Sequence, residues 1–165
     1  MTAEANIETR IATPDDAAPL REAFGDAPAF RRLFEGDAGV LVIVGEQDGR
    51  IVGAVAAESS GHPVDSSWAW ISAEWPAEEA PDVALYRGAA EAFDAQPPGT
   101  GSAAALAAPV AVGDRQRARA LEAAGFRPRG GAYRPIGPGM VEYLDGYTDP
   151  QGFVVDFVRD RPESA

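Results

Sequence analysis

The sequence contains no cysteine and no lysine, and His62 is its single histidine. The first absence excludes disulfides and thiolate chemistry. The second excludes lysine Schiff bases. One imidazole rules out a multi-histidine metal site, so no metal is expected. No apolar run approaches the length of a membrane span. The N-terminus shows no charged-then-apolar leader, which predicts a cytoplasmic protein. Positive charge is scarce: 14 basic residues, all arginine, stand against 26 acidic ones, for a net charge of −12. Nucleic acid and anionic membrane surfaces need a basic footprint and are not expected as partners. A cationic small molecule would be attracted, although an acidic surface also serves solubility. Arginine as the only strong base, with abundant alanine, suggests a high-GC bacterial genome.

What is present fits one α+β domain over residues 1–165, since no linker or repeat divides the chain. Ile7 to Ala12 alternates as a first strand. Thr13-Pro-Asp-Asp16 starts a helix predicted to run to Phe24, with Pro19 bending or shifting its start. Ala29 to Phe34 reads as a short second helix with Phe30, Leu33 and Phe34 on one face. Val40 to Val44 and Ile51 to Ala56 form a hairpin around Asp48-Gly49, which supplies the positive φ of a tight turn. Ser67 to Trp75 is a fourth strand, with Trp68 and Trp70 predicted on one side and Ile71 and Trp75 on the other. Pro81 to Gln96 is a helix that Gly88 weakens by roughly 1 kcal/mol relative to alanine. Ala103 to Val112 is a fifth strand in which Pro109 marks a bulge or an unpaired position. Asp114 caps a helix ended by Gly125. A sixth strand follows to Ile136, and residues 140–159 are expected to form a C-terminal β-hairpin.

That order of elements, from about Ile7 to Ile136, resembles the GNAT superfamily of N-acyltransferases. Three stretches carry the resemblance: Arg10-Ile-Ala-Thr-Pro-Asp-Asp-Ala17, Val40 through Val55 with its Asp-Gly-Arg-Ile-Val-Gly centre, and Asp114 through Phe126. The resemblance implies an α+β fold with a mixed central sheet flanked by helices. It also implies a V-shaped cleft between the fourth and fifth strands, and an acyl-CoA donor serving a small amine acceptor. In the family a glycine-rich loop after the fourth strand presents N–H groups to the CoA pyrophosphate. The equivalent positions here include Trp75, Ala77, Glu78 and Ala80, and the segment from Trp75 to Asp82 is acidic and without glycine. Each carboxylate at about 5 Å from a phosphate would cost on the order of 3 kcal/mol before screening. Acyl-CoA is therefore implied by the resemblance and opposed by these residues. Tyr86-Arg-Gly-Ala-Ala90 leaves too little helix after it to be a displaced phosphate loop. Pro97 to Ser102 precedes a strand and lacks a helix dipole. Leu121 stands where many relatives have the tyrosine that protonates the leaving thiolate.

The same resemblance puts a general base at Glu74, with a pKa raised by desolvation if it shares a face with Trp68 and Trp70. Exposed strand glutamate is the alternative. Trp68 and Trp70 are candidates for an apolar or cation-binding substrate pocket, or else core residues. Tyr133 is a candidate acid, and His62 is expected to be a surface-loop residue. Three functions stay open: an N-acyltransferase with an atypical donor site, a diverged protein using the cleft without acyl-CoA, and a structural or regulatory module, for instance a homodimer through its C-terminal hairpin.

Overall fold

The computed structural model describes residues 6–76, 81–95, 103–147 and 149–162. In chain order these form β1 (Glu8–Ile11), a 3-10 turn (Pro14–Asp16), α1 (Ala17–Phe24), α2 (Pro28–Phe34), β2 (Val40–Gln47), β3 (Arg50–Glu58) and β4 (Trp68–Trp75). The second half supplies α3 (Val83–Asp94), β5 (Ala105–Ala111), α4 (Arg115–Ala123), β6 (Arg127–Gly137), β7 (Met140–Tyr143) and β8 (Val154–Asp160). All eight strands join one sheet in the order β1-β2-β3-β4-β5-β8-β6-β7. Every neighbouring pair is antiparallel except β4 and β5. This is the expected mixed α+β architecture.

Two layers of helix cover the sheet. Alternate residues of β2 and β3, among them Val42, Val44, Ala54 and Ala56, pack with Leu20, Phe30 and Leu33 of α1 and α2. The intervening residues, Ile43, Val55 and Ala57, join Leu85, Tyr86, Phe93, Leu121 and Phe126 on the side of α3 and α4. The β2–β3 turn carries Asp48 at φ 52° and Gly49 at φ 75°, the positive pair that a two-residue hairpin requires. Pro19 lies in the first turn of α1, where its missing N–H leaves no helical bond unmade.

Several expectations change in three dimensions. Phe34 is 63% exposed and not part of the α2 face; it lies beside the Arg21 guanidinium. The expected hairpin over residues 140–159 does not form. β7 pairs with β6 at the sheet edge, while β8 inserts between β5 and β6. A dimer contact through that hairpin therefore loses its element. Gly88 is a packing requirement as well as a weak helix former. A Cβ there would come within 2.9 Å of the Thr9 hydroxyl and 3.2 Å of Ile43, where α3 crosses β1 and β2.

The helix start after β1 is also built differently from a simple hydroxyl cap. The Asp16 carboxylate folds back to accept from the Thr13 N–H (2.7 Å) and takes both terminal nitrogens of Arg10 at 2.7 and 2.8 Å. The Arg10 bonds, helped by the Thr13 N–H and opposed by burial, lower the Asp16 pKa to about 2. A depressed carboxylate stabilises the fold above its ordinary pKa and loses that contribution as pH falls through the folded value.

Two predictions follow from these contacts. Gly88→Ala should destabilise the protein by about 1–3 kcal/mol in urea unfolding, despite its better helix propensity, because the added methyl overpacks against Thr9. Asp16→Asn should cost about 1–2 kcal/mol at neutral pH, a difference that shrinks between pH 4 and pH 2 in matched unfolding curves.

Candidate functional site

The β4–β5 ladder runs from Trp68 opposite Ala105 to Trp70 opposite Ala107 and then stops, although the strands continue to Trp75 and Ala111. Past that point they diverge into a V. Pro109 falls inside it. The Val112 N–H bonds to Phe153 on the β8 side, so the alternating odd-numbered residues of β5 aim their backbone groups towards β4. The missing N–H of Pro109 thus points into the open V, and the β5–β8 register passes through it without a shift. Of the two roles expected for this proline, the unpaired position is the observed one.

A cavity of about 440 Å³ lies where β4 hands over to α3, walled by Trp75, Pro76, Asp82, Leu85, Gln116 and Gly53 among others. Among the described residues its lining holds no basic side chain. The Asp82 carboxylate caps α3 by accepting from the Ala84 N–H at 2.8 Å. One of the N–H groups that an incoming anion would use is therefore already taken. Of the residues proposed as cofactor contacts, Ala77, Glu78 and Ala80 lie outside the described residues. Trp75 lines the cavity while its ring packs against Phe30, tilted by 37°, with centroids 4.4 Å apart.

An irregularity in β4 decides where its side chains point. Ala56 pairs with Ala73 and Ala57 with Ile71, so Ser72 is an extra residue in β4. Before it, Trp68 and Trp70 face the α1/α2 side and Ile71 the α3/α4 side. After it the alternation inverts. Trp75 joins Phe30 on the α1/α2 side, contrary to the expected grouping with Ile71. Glu74 turns to α3 and α4, away from Trp68 and Trp70, so the shared face on which its role as a desolvated base depended is not formed.

There Glu74 becomes a junction. Its Oε2 accepts from the Tyr86 hydroxyl (3.0 Å, α3) and from Arg117 Nε (2.9 Å, α4). Arg117 also donates to Asp114 at 2.8 Å, and Asp114 caps α4 through the Arg117 N–H. Burial, with the Glu74 charge added, pushes the Tyr86 pKa well up. Burial opposes the charge on Arg117, but the Glu74 and Asp114 bonds outweigh it and raise its pKa. Burial likewise works against the Asp114 charge, yet its bonds to Arg117 keep that carboxyl below the ordinary value. Leu121, where the resemblance would put a tyrosine, is fully buried in the core.

On the opposite sheet face lies a second cluster that the sequence reading missed. His62 is buried, not exposed on the surface. Its Nε2 lies 2.9 Å from Asp156 Oδ1, and the Tyr133 hydroxyl donates to the same oxygen at 2.9 Å. Nδ1 of His62 accepts from the Val64 and Asp65 N–H groups at 3.2 and 3.0 Å, which places the ring proton on Nε2 and leaves the imidazole neutral. Burial, then the Asp156 charge, drives the Tyr133 pKa up. Trp68 and Trp70 pack edge-on around His62, with ring centroids at 5.1 and 6.1 Å, and Trp70 is fixed by its bond to the Ser60 carbonyl. The structure thus joins Trp68, Trp70 and Tyr133 and leaves Glu74 apart from them. A clue was available in the sequence: Asp156 interrupts the apolar strand Phe153-Val-Val-Asp-Phe-Val158.

No family model matches the chain, and no curated protein matches it. Solved structures do. The aminoglycoside N-acetyltransferase AAC(6')-Ib11 aligns over 94% of this chain and 97% of its own, with TM-score 0.56 and 16% identity. The ribosomal-protein-S5-alanine acetyltransferase of Vibrio fischeri aligns over 98% and 96%, with TM-score 0.58 and 13% identity. A GNAT-family acetyltransferase from Streptococcus pneumoniae aligns over 95% and 100%, with TM-score 0.61 and 15% identity. The chain therefore has the GNAT fold that its order of elements suggested.

The Glu74 junction generates a contrast. Arg117→Met leaves two partly buried carboxylates without their cation and should cost about 2–3 kcal/mol. Glu74→Gln keeps an acceptor for both donors and should cost only about 1 kcal/mol. Urea unfolding of the two variants measures the difference.

Proposed function

We propose that this protein transfers an acyl group to a small amine within the V between β4 and β5. The observation that carries this reading is the ladder that stops at Trp70 and Ala107 while both strands continue. Two backbone edges then face each other across a wedge. An extended, amide-bearing ligand can bond to such edges as an added strand does. The solved relatives support the assignment: AAC(6')-Ib has been seen with coenzyme A and kanamycin together. Acyl-CoA would supply the activated thioester, and its slender arm suits the wedge. Its pyrophosphate does not suit the cavity at α3, where the described wall offers Asp82 and no arginine. The donor site is in this sense atypical.

Within this reading the chain's own residues mostly hold geometry. Glu74 ties β4 to α3 and α4, keeping one wall of the wedge fixed, and its carboxylate is committed to Tyr86 and Arg117. Tyr133 donates a hydrogen bond to Asp156 and so serves that carboxylate. A second reading, a ligand-binding protein that uses the same wedge without acyl-CoA, is favoured by the Asp82 cap.

Thermal unfolding with acetyl-CoA and longer acyl-CoAs separates the two. A ligand at a thousand times its Kd adds about 4 kcal/mol of stability. For a chain of this size that is a rise of roughly 10 °C in Tm. Micromolar acyl-CoA binding should therefore be plain at millimolar ligand. No rise with any acyl-CoA would remove the acyl-transfer reading and leave the second.

A further inference from the structure

Asp156 is set apart from the other buried carboxylate by its partners. Asp16 faces the Arg10 guanidinium, whereas among the described residues the Asp156 carboxylate bonds to the neutral His62 ring and the Tyr133 hydroxyl. Its cross-strand neighbour Arg129 gives both terminal nitrogens to Asp160. A buried negative charge without a cation is costly, and among the described residues no arginine bonds to Asp156: the Arg129 guanidinium lies over the Trp68 ring, 5.9 Å from its centroid, and is committed to Asp160. Both bonds to Asp156 end on Oδ1, leaving Oδ2 over. Among the described residues no buried side-chain polar atom lacks a partner, so Oδ2 lies at the solvent boundary, within the 3% of this side chain that is exposed.

The surroundings suit a cation. Trp68 and Trp70 stand on the same sheet face, and aromatic rings attract ammonium groups. Asp156 sits directly across β5 from the open V, opposite Pro109. At the ordinary strand spacing that is about 5 Å from the wedge's inner edge. The net charge of −12 draws cations to the whole molecule.

We propose that Asp156 Oδ2, flanked by Trp68 and Trp70, is the subsite that holds the ammonium group of a primary amine. His62 and Tyr133 are positioning residues: they fix the carboxylate by occupying Oδ1 and turn Oδ2 outward. The inference deepens the acyl-transfer reading by locating the acceptor's charged end on the α1/α2 face, opposite Glu74.

The test needs no acyl donor. Intrinsic tryptophan fluorescence of the native protein is titrated with n-butylammonium chloride, with n-butanol as the neutral isostere and sodium chloride as the ionic-strength control. A saturable change with the ammonium alone is expected. Asp156→Asn should weaken it about tenfold or more, because the charge is lost and the shape kept. Trp75→Phe should leave it unchanged, since Trp75 packs against Phe30. An equal response to n-butanol overturns the inference, and so does unchanged affinity in a folded Asp156→Asn variant. The butanol comparison uses the native chain and decides the question even if that variant does not fold. Failure here leaves acyl-CoA binding untouched, and failure of acyl-CoA to bind leaves this result standing.

Discussion

At Ser72, β4 carries one residue more than the strand it pairs with, and the site is arranged around that surplus. A strand alternates faces with a period of two, so one extra residue inverts every later position. Trp68 and Trp70 lie before the inversion and close over His62. Glu74 lies after it and reaches α3 and α4. Trp75, also after it, is delivered to Phe30. The ladder with β5 ends at Trp70, just short of the same place, because a strand that bends away from its neighbour cannot keep parallel bonds to it. The wedge, its anchored wall and the aromatic cluster on the far face thus share one local cause.

Charge pairing does the rest of the positioning. Arg10 joins β1 to Asp16 and to Glu46 of β2. Arg32 joins α2 to Asp37 and to Glu58 of β3. Arg117 joins α4 to β4. Exposed pairs of this kind contribute little individually. Their partly buried members matter more as fasteners, since removing one partner strands the other. Asp156 departs from this pattern: its side-chain donors are His62 and Tyr133, and it pairs across β5 with Pro109. A buried carboxylate without an arginine partner stands out beside these paired ones on physical grounds.

How much of this could be read in advance differs by residue. The Asp48-Gly49 turn, the Asp114 cap and the Phe30–Leu33 contact depend on residues within a few positions of one another, and the sequence shows them directly. The acidic character of the segment before α3 was equally plain, and the Asp82 cap is its structural counterpart. Glu74 is marked by the resemblance as a candidate base, and the structure places it at a junction of β4, α3 and α4. Its partners Tyr86 and Arg117 lie 12 and 43 residues away, and the surplus residue that aims it at them leaves no mark in composition. His62 and Asp156 are 94 residues apart. Nothing local distinguishes a loop histidine that turns inward from one that stays in solvent.

By itself the sequence determined which elements form and in what order, which residue types are missing, and the sign of the net charge. Local propensity and bulk charge suffice for those, because both are sums over neighbouring residues or over the whole chain. The tertiary structure decided which sheet face each side chain occupies, where β8 inserts, and which carboxylates acquire arginines. Those outcomes depend on register, and register is fixed only when strands distant in sequence are paired and their apolar faces buried.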